Sequence, residues 1–139
     1  LAYWLLKTEP ETWSWDQQRA RGKAGEEWTG VRNYQARSNL RAMKKGDLGF
    51  FYHTGSAKEI VGVVEVSAPA HSDSTDKTGE WISVDLKAVR SLKTPVSMAA
   101  IKAEPRLKNM VLVRNSRLSV QPVAPEEWRL ICKMGGIEP

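Results

Sequence analysis

Trp28, Asn33, Arg37, Arg41 and Lys44 fall within one stretch, WTGVRNYQARSNLRAMKK, and their types suit the holding of a nucleotide. An indole offers a face on which a base stacks, a carboxamide reads polar edges, and a row of cations meets phosphate oxygens. Arg37, Arg41 and Lys44 are spaced i, i+4, i+7, so on a helix they share one side, while Ala36, Leu40 and Met43 share another. The same pattern also describes an ordinary solvated basic face. The neighbourhood of Trp28 and the polar turn favours a site. Tyr52, with Trp13 or Trp15, can complete an aromatic slot, Thr8 and Ser119 can add polar edges, and Arg117 can add a further phosphate contact.

Catalytic and metal-binding patterns are mostly missing. Two histidines and one cysteine provide neither zinc-ligand spacing nor a deaminase arrangement of His, Glu and paired Cys. No metal and no cofactor is expected. Gly22, Gly25 and Gly30 match neither a phosphate loop nor a dinucleotide fingerprint, and no serine lies in a nucleophile elbow. Glu9 and Glu11 beside Lys7 read as surface pairs. His53, closing an aromatic strand, reads either as a hydrogen-bonded structural histidine or as a proton carrier. His71 falls in a polar loop and reads as exposed and idle. Cys132, four residues after Trp128, reads as a buried small hydrophobe.

The elements that must position these groups are legible in part. Tyr3 to Thr8 reads as a central strand ended at Glu9-Pro10. Ser14 and Gln17 have capping-box spacing for a short helix. Asn33 is placed to cap a helix from about Tyr34 to Lys44, with Gly30 easing the turn into it. LGFFYH, residues 48–53, carries aromatics on both faces and is expected to be covered on both. Ile60 to Val66 follows as its hairpin partner, with Gly62 permitting a bulge. Residues 69–80 read as a polar loop, and Trp81 to Val89 as a half-exposed strand ended by Pro95-Val96. Ser97 caps a short helix that Pro105 stops, Val111 to Arg114 and Leu118 to Val120 read as extended pieces, and Pro125 opens a terminal helix. With no βαβ alternation, the expectation is an α+β fold: a five- or six-stranded, mostly antiparallel β-barrel braced by short helices.

The chain has 139 residues, enough for one domain over 1–139 with a core that needs no disulfide. Its 41% hydrophobic and 27% charged content is ordinary for a globular protein, and no apolar run approaches the roughly 20 residues of a membrane span. The opening YWLLK lacks the form of a secretory signal, so a cytoplasmic protein is expected, nucleoid-associated or nuclear according to its host. A net charge of +5 favours polyanionic partners. Oligomeric state is open, with a monomer favoured.

WLLKTEP, WSWD, EEWTGVRNYQARSNLRAMKKGD, FFYH, IVGVVEV, PVSMAAIK and SRLSVQPV followed by EEW together resemble the EVE-domain family, in order and over essentially the whole chain. The GVRNYQAR segment is the most specific part. The resemblance implies a PUA-like curled sheet related to the YTH readers of methylated adenine, and a non-catalytic module that accepts a modified base in DNA or RNA, with 5-methylcytosine and its oxidised forms favoured. It also implies that Trp28 stands in the place of a cage tryptophan, with Lys7 and Thr8 at the pocket wall and Asn33, Arg37, Tyr52, His53 and Ser119 near its mouth. Tyr34 and Leu118, beside Asn33 and Ser119, complete the expected base-contacting set. Arg37, Arg41, Lys44 and Arg117 form the expected phosphate-contacting set. Thr8 stands where the family more usually has serine, and Ser38 where asparagine is common. Two readings of other classes stay open: a small nucleoside or RNA hydrolase using Lys7, Thr8 and His53, and an adaptor whose pocket holds a small metabolite.

Overall fold

The computed structural model describes residues 1–139. Six strands, β1 (Tyr3–Thr8), β2 (Glu26–Glu27), β3 (Leu48–His53), β4 (Glu59–Ser72), β5 (Ile82–Ser97) and β6 (Val120–Val123), form one sheet in the order β2-β5-β4-β3-β1-β6. Five helices, α1 (Trp15–Ala20), α2 (Tyr34–Ala42), α3 (Met98–Ala103), α4 (Val111–Arg114) and α5 (Pro125–Met134), pack around it.

Side-chain alternation along the central strands explains why both faces are covered. Trp4 and Leu6 of β1 and Phe51 of β3 join one core with Ala36 and Leu40 of α2. Leu5, Phe50 and Tyr52 point the other way, into a second core with Ile101, Leu112, Trp128 and Ile131. Trp128 stacks on Phe50 at 3.9 Å between ring centres, and Cys132 beside it is fully buried, where burial pushes its thiol up to about 11. Asp47 ties the start of the sheet together. Its buried carboxylate accepts the Trp4 indole N–H at 3.0 Å and the Lys44 amide at 3.0 Å.

The local start signals act as read. Ser14 and Gln17 make a capping box, the Asn33 side chain accepts the Ala36 amide, and Pro125 opens α5. Ala36, Leu40 and Met43 are buried, although α2 stops at Ala42, two residues before the expected end.

Four expectations need correction. The sheet does not close into a barrel, because β2 and β6 are its free edges. β1 and β3 pair in parallel, so the chain does make a crossover through α1 and α2, while the other four pairings are antiparallel. β4 and β5 extend well past their expected ends, through Pro69 and Pro95. Both prolines fall where the ladder shifts register, Pro69 between the Ala68 and His71 pairings and Pro95 in the step between Ser91 and Val96, so neither must donate a ladder hydrogen bond. Finally, Val111 to Arg114 is a helical turn. Burial of Leu112 outweighs the strand preference of its β-branched neighbours.

Candidate functional site

A cavity of about 520 Å³ opens at the carboxyl end of β1. Lys7, Thr8 and Glu9 form one side, Trp13 lies beside them, and Trp28 to Arg32 form the opposite wall, with Glu26, Glu27 and Ser119 completing it. Backbone bonds set this frame. The Lys7 amide donates to the Ser119 carbonyl at 2.9 Å, and the Trp28 amide donates to the Val84 carbonyl at 2.8 Å, extending the β1–β6 and β2–β5 pairings into the walls. Trp28 is 7% exposed. Its indole meets Phe51 edge-on at 5.7 Å, and its remaining surface lines the cavity.

The two flanking walls are pinned by buried polar groups. Thr8 donates its hydroxyl to the Trp13 carbonyl at 3.0 Å, and the Trp13 indole N–H donates to Gln18 at 2.9 Å. Gln18, fully buried, in turn donates to the Leu86 carbonyl. Across the cavity Gly30 adopts φ +87°, a conformation that glycine enters without penalty. Its amide donates to Asp73 at 2.9 Å, and the Arg32 guanidinium donates to the same oxygen at 3.0 Å. Burial alone would raise the Asp73 pKa, but hydrogen bonds from Thr75, Gly30 and Arg32 outweigh it and hold the group at about 2.

The lining is electrically mixed. Lys7 and Arg32 line the cavity together with Glu9, Glu26 and Glu27, and burial lowers the Lys7 pKa. Glu26 is paired with Arg21 at 3.1 Å. Glu27 accepts from Ser74 and Ser83. Burial opposes its ionisation, yet these bonds and nearby His71 lower its pKa overall. Such a lining suits a flat polar group with both donors and acceptors better than a bare phosphate, which three carboxylates would repel.

Next to the mouth stands a stack of rings and guanidinium groups. Tyr34, 61% exposed, stacks on Trp81 at 5.2 Å and 25°. Arg37 lies 4.8 Å from the Tyr34 ring and 5.2 Å from Trp81, and Arg32, which lines the cavity, lies 5.8 Å from Trp81.

Of the residues expected at the site, the cavity brings together Lys7, Thr8, Trp28 and Ser119. Tyr34 and Arg37 sit in the adjoining stack. Asn33 caps α2. Tyr52 lies behind Lys7, whose ammonium group is 5.5 Å from its ring, in a second recess. His53 accepts the Trp15 amide at 3.1 Å and does not line the cavity. Leu118 is buried in the core. Arg41, Lys44 and Arg117 are exposed away from the lining. His71 is not idle: its Nε2 lies 2.8 Å from Asp85. Sequence reasoning missed Arg32 and Trp81. Arg32 lay inside the quoted motif, but Trp81 reaches the stack only through the β4–β5 pairing, which no local pattern reveals.

An open, mostly antiparallel sheet with helices on both faces and a tryptophan-walled slot at the end of β1 is an α+β arrangement. The chain belongs to the EVE-domain family, which matches residues 2–134. Among relatives, human thymocyte nuclear protein 1 is 33% identical over 99% of this chain and 76% of that protein. The Rhodopseudomonas palustris protein Rpa0253 is 58% identical, with a TM-score of 0.93 over 98% of this chain and 94% of that one. Human THYN1, solved in complex with 5-methylcytosine-containing DNA, superposes with a TM-score of 0.90 and 33% identity over 100% of both chains. A Zygosaccharomyces rouxii YTH domain, 17% identical with a TM-score of 0.61 over 99% of this chain and 86% of that one, shares the fold.

Proposed function

We propose that this chain is a single-domain, non-catalytic reader that takes a modified nucleobase of DNA or RNA into the cavity beside Trp28, with 5-methylcytosine or its oxidised forms favoured. The observation that carries the reading is the pairing of Trp28 and Lys7 across one cavity, in a chain similar along its whole length to a protein solved with 5-methylcytosine DNA. Trp28 supplies the stacking face, Thr8 and Ser119 supply hydroxyls for the ring edge, and Lys7 and Arg32 stand where the strand's phosphates approach. A mixed lining can donate to and accept from a base at once. Binding rather than turnover is supported by the likeness to a protein solved in complex with 5-methylcytosine-containing DNA, and by the commitment of the His53 ring to Trp15. A reader of this kind works in whichever compartment holds its nucleic acid.

Magnitudes shape the expected behaviour. Stacking one base is worth about 1–3 kcal/mol, while extruding it from a duplex costs a few kcal/mol. Contacts to the sugar-phosphate backbone must supply the surplus, so affinity falls with salt. Burying one methyl adds roughly 0.8 kcal/mol, about fourfold in affinity. Titration of matched oligonucleotides carrying plain, methylated and oxidised cytosine at two salt concentrations tests the proposal. Tighter binding of a modified strand at both salts is expected, and equal affinity for every strand overturns it.

A further inference from the structure

Lys7 belongs to two cavities. Behind the slot, a second recess of about 290 Å³ is lined by Lys7, Tyr52, Thr54, Lys58, Lys102 and Ser116, among others, with no acidic residue. Its three lysines take part in none of the ion pairs of the molecule. Lys7 is held there by its ammonium group, which donates to the Ser116 carbonyl and lies over the Tyr52 ring. Lys58 reaches it from a turn in which it is the sole non-glycine residue at positive φ, +47°, and its carbonyl is fixed by the Met98 amide at 2.8 Å. The Thr54 hydroxyl, closed off from solvent, has no hydrogen-bond partner. Cations gathered without an acidic partner raise one another's energy. An anion with several acceptor oxygens relieves that cost.

We infer that this recess is a phosphate subsite, occupied by the phosphodiester of the nucleotide next to the base held in the main slot. The occupant follows from the geometry of Lys7. Because Lys7 lines both cavities, a group seated in one is a neighbour of a group seated in the other. The slot, with three glutamates, suits the neutral ring, and the recess, with lysines alone as its charged residues, suits the charged linkage. The assignment rests on the base-binding reading for its choice of ligand, and its test separates the two.

The experiment compares the wild-type protein with the double variant Lys58→Gln/Lys102→Gln and with a control, Lys108→Gln/Lys133→Gln, which removes the same charge from surfaces that line neither cavity. All four positions are exposed, and circular dichroism and Tm check folding. Two probes are used: 5-methyl-2′-deoxycytidine, which has no phosphate, and a single-stranded oligonucleotide with one 5-methylcytosine. The Lys58/Lys102 variant is expected to bind the nucleoside as wild type does. On the oligonucleotide, its slope of log affinity against log salt should be shallower by roughly 0.7, one phosphate contact on a single strand. An unchanged slope, or an equal loss in the control, overturns the subsite. Failure of the wild-type protein to bind either probe above its unmodified counterpart counts against the base slot instead, and the slope comparison still judges the recess.

Discussion

Trp28 meets Phe51 edge-on, with ring planes at 83° and centres 5.7 Å apart, so the proposed stacking surface is also part of the core. Position and stability are therefore coupled at this residue. Trp28→Ala should lower base affinity by about 1–3 kcal/mol and also destabilise the fold by about 3–5 kcal/mol through the cavity it leaves. Trp28→Phe keeps most of the packing and is the cleaner variant. Calorimetric titration with a modified oligonucleotide, alongside urea unfolding, separates the effects. Wild-type affinity in a folded Trp28→Phe and a folded Trp28→Ala would remove the indole from the site.

Gly62 lets the Trp15 indole lie against the backbone of β4. A Cβ at this position would stand 2.2 Å from the Trp15 ring, and the indole is held by its own N–H to Ser91 at 2.9 Å. Gly62→Ala should therefore destabilise the protein by about 1–3 kcal/mol or more, the usual cost of overpacking. A urea midpoint equal to wild type would show that the ring can move aside.

The two histidines should titrate in opposite senses. Burial lowers the pKa of His53 below its ordinary 6.5, against weaker attraction from Glu59, Asp16 and Glu11. Its neutral ring accepts the Trp15 amide, so its contribution is present above pH 6.5 and is lost as pH falls through the lowered folded value. The hydrogen bond to Asp85 raises His71 above 6.5, so its contribution is complete below 6.5 and fades as pH rises through the raised value. NMR titration of the ring protons reads both directly. His53 titrating above His71 would contradict this arrangement.

Asp73 supplies a third pH-dependent link. With its pKa held at about 2 against an ordinary 3.8, it contributes stability above pH 4 that is lost as pH falls from about 4 to 2. The contribution is roughly 2 kcal/mol. Asp73→Asn should flatten the acid limb of the stability curve in that window and weaken oligonucleotide binding by loosening Gly30 and Arg32. An acid limb identical to wild type would show that the carboxylate adds nothing to stability.

How much of this was legible beforehand depends on how local the cause is. Ser14, Asn33, Ser97 and Pro125 act within a single turn, and each begins its helix as the sequence indicates. The aromatic alternation of residues 48–53 likewise announces a strand covered on both faces. Pro69 and Pro95 mislead because a proline's effect depends on whether the partner strand needs its missing N–H, and the register shifts that spare both are properties of the pair. The site divides along the same line. Lys7, Thr8 and Trp28 belong to motifs that meet in one cavity. Trp81 and the lysine recess come from segments distant in sequence, so only the assembled sheet brings them into view.

The tether between Asp73 and the Gly30–Arg32 wall carries a further consequence. One side of the slot takes its shape from the tip of a hairpin whose remaining residues, 74–80, are largely exposed and play no part in either core. Drift in that tip can reshape the aperture while the scaffold beneath stays constant. Ligand preference can thus diverge between lineages that keep the same interior, because the adjustable part is a peripheral appendage joined to the slot by a few polar contacts, Asp73 with Gly30 and Arg32 and Ser74 with Glu27.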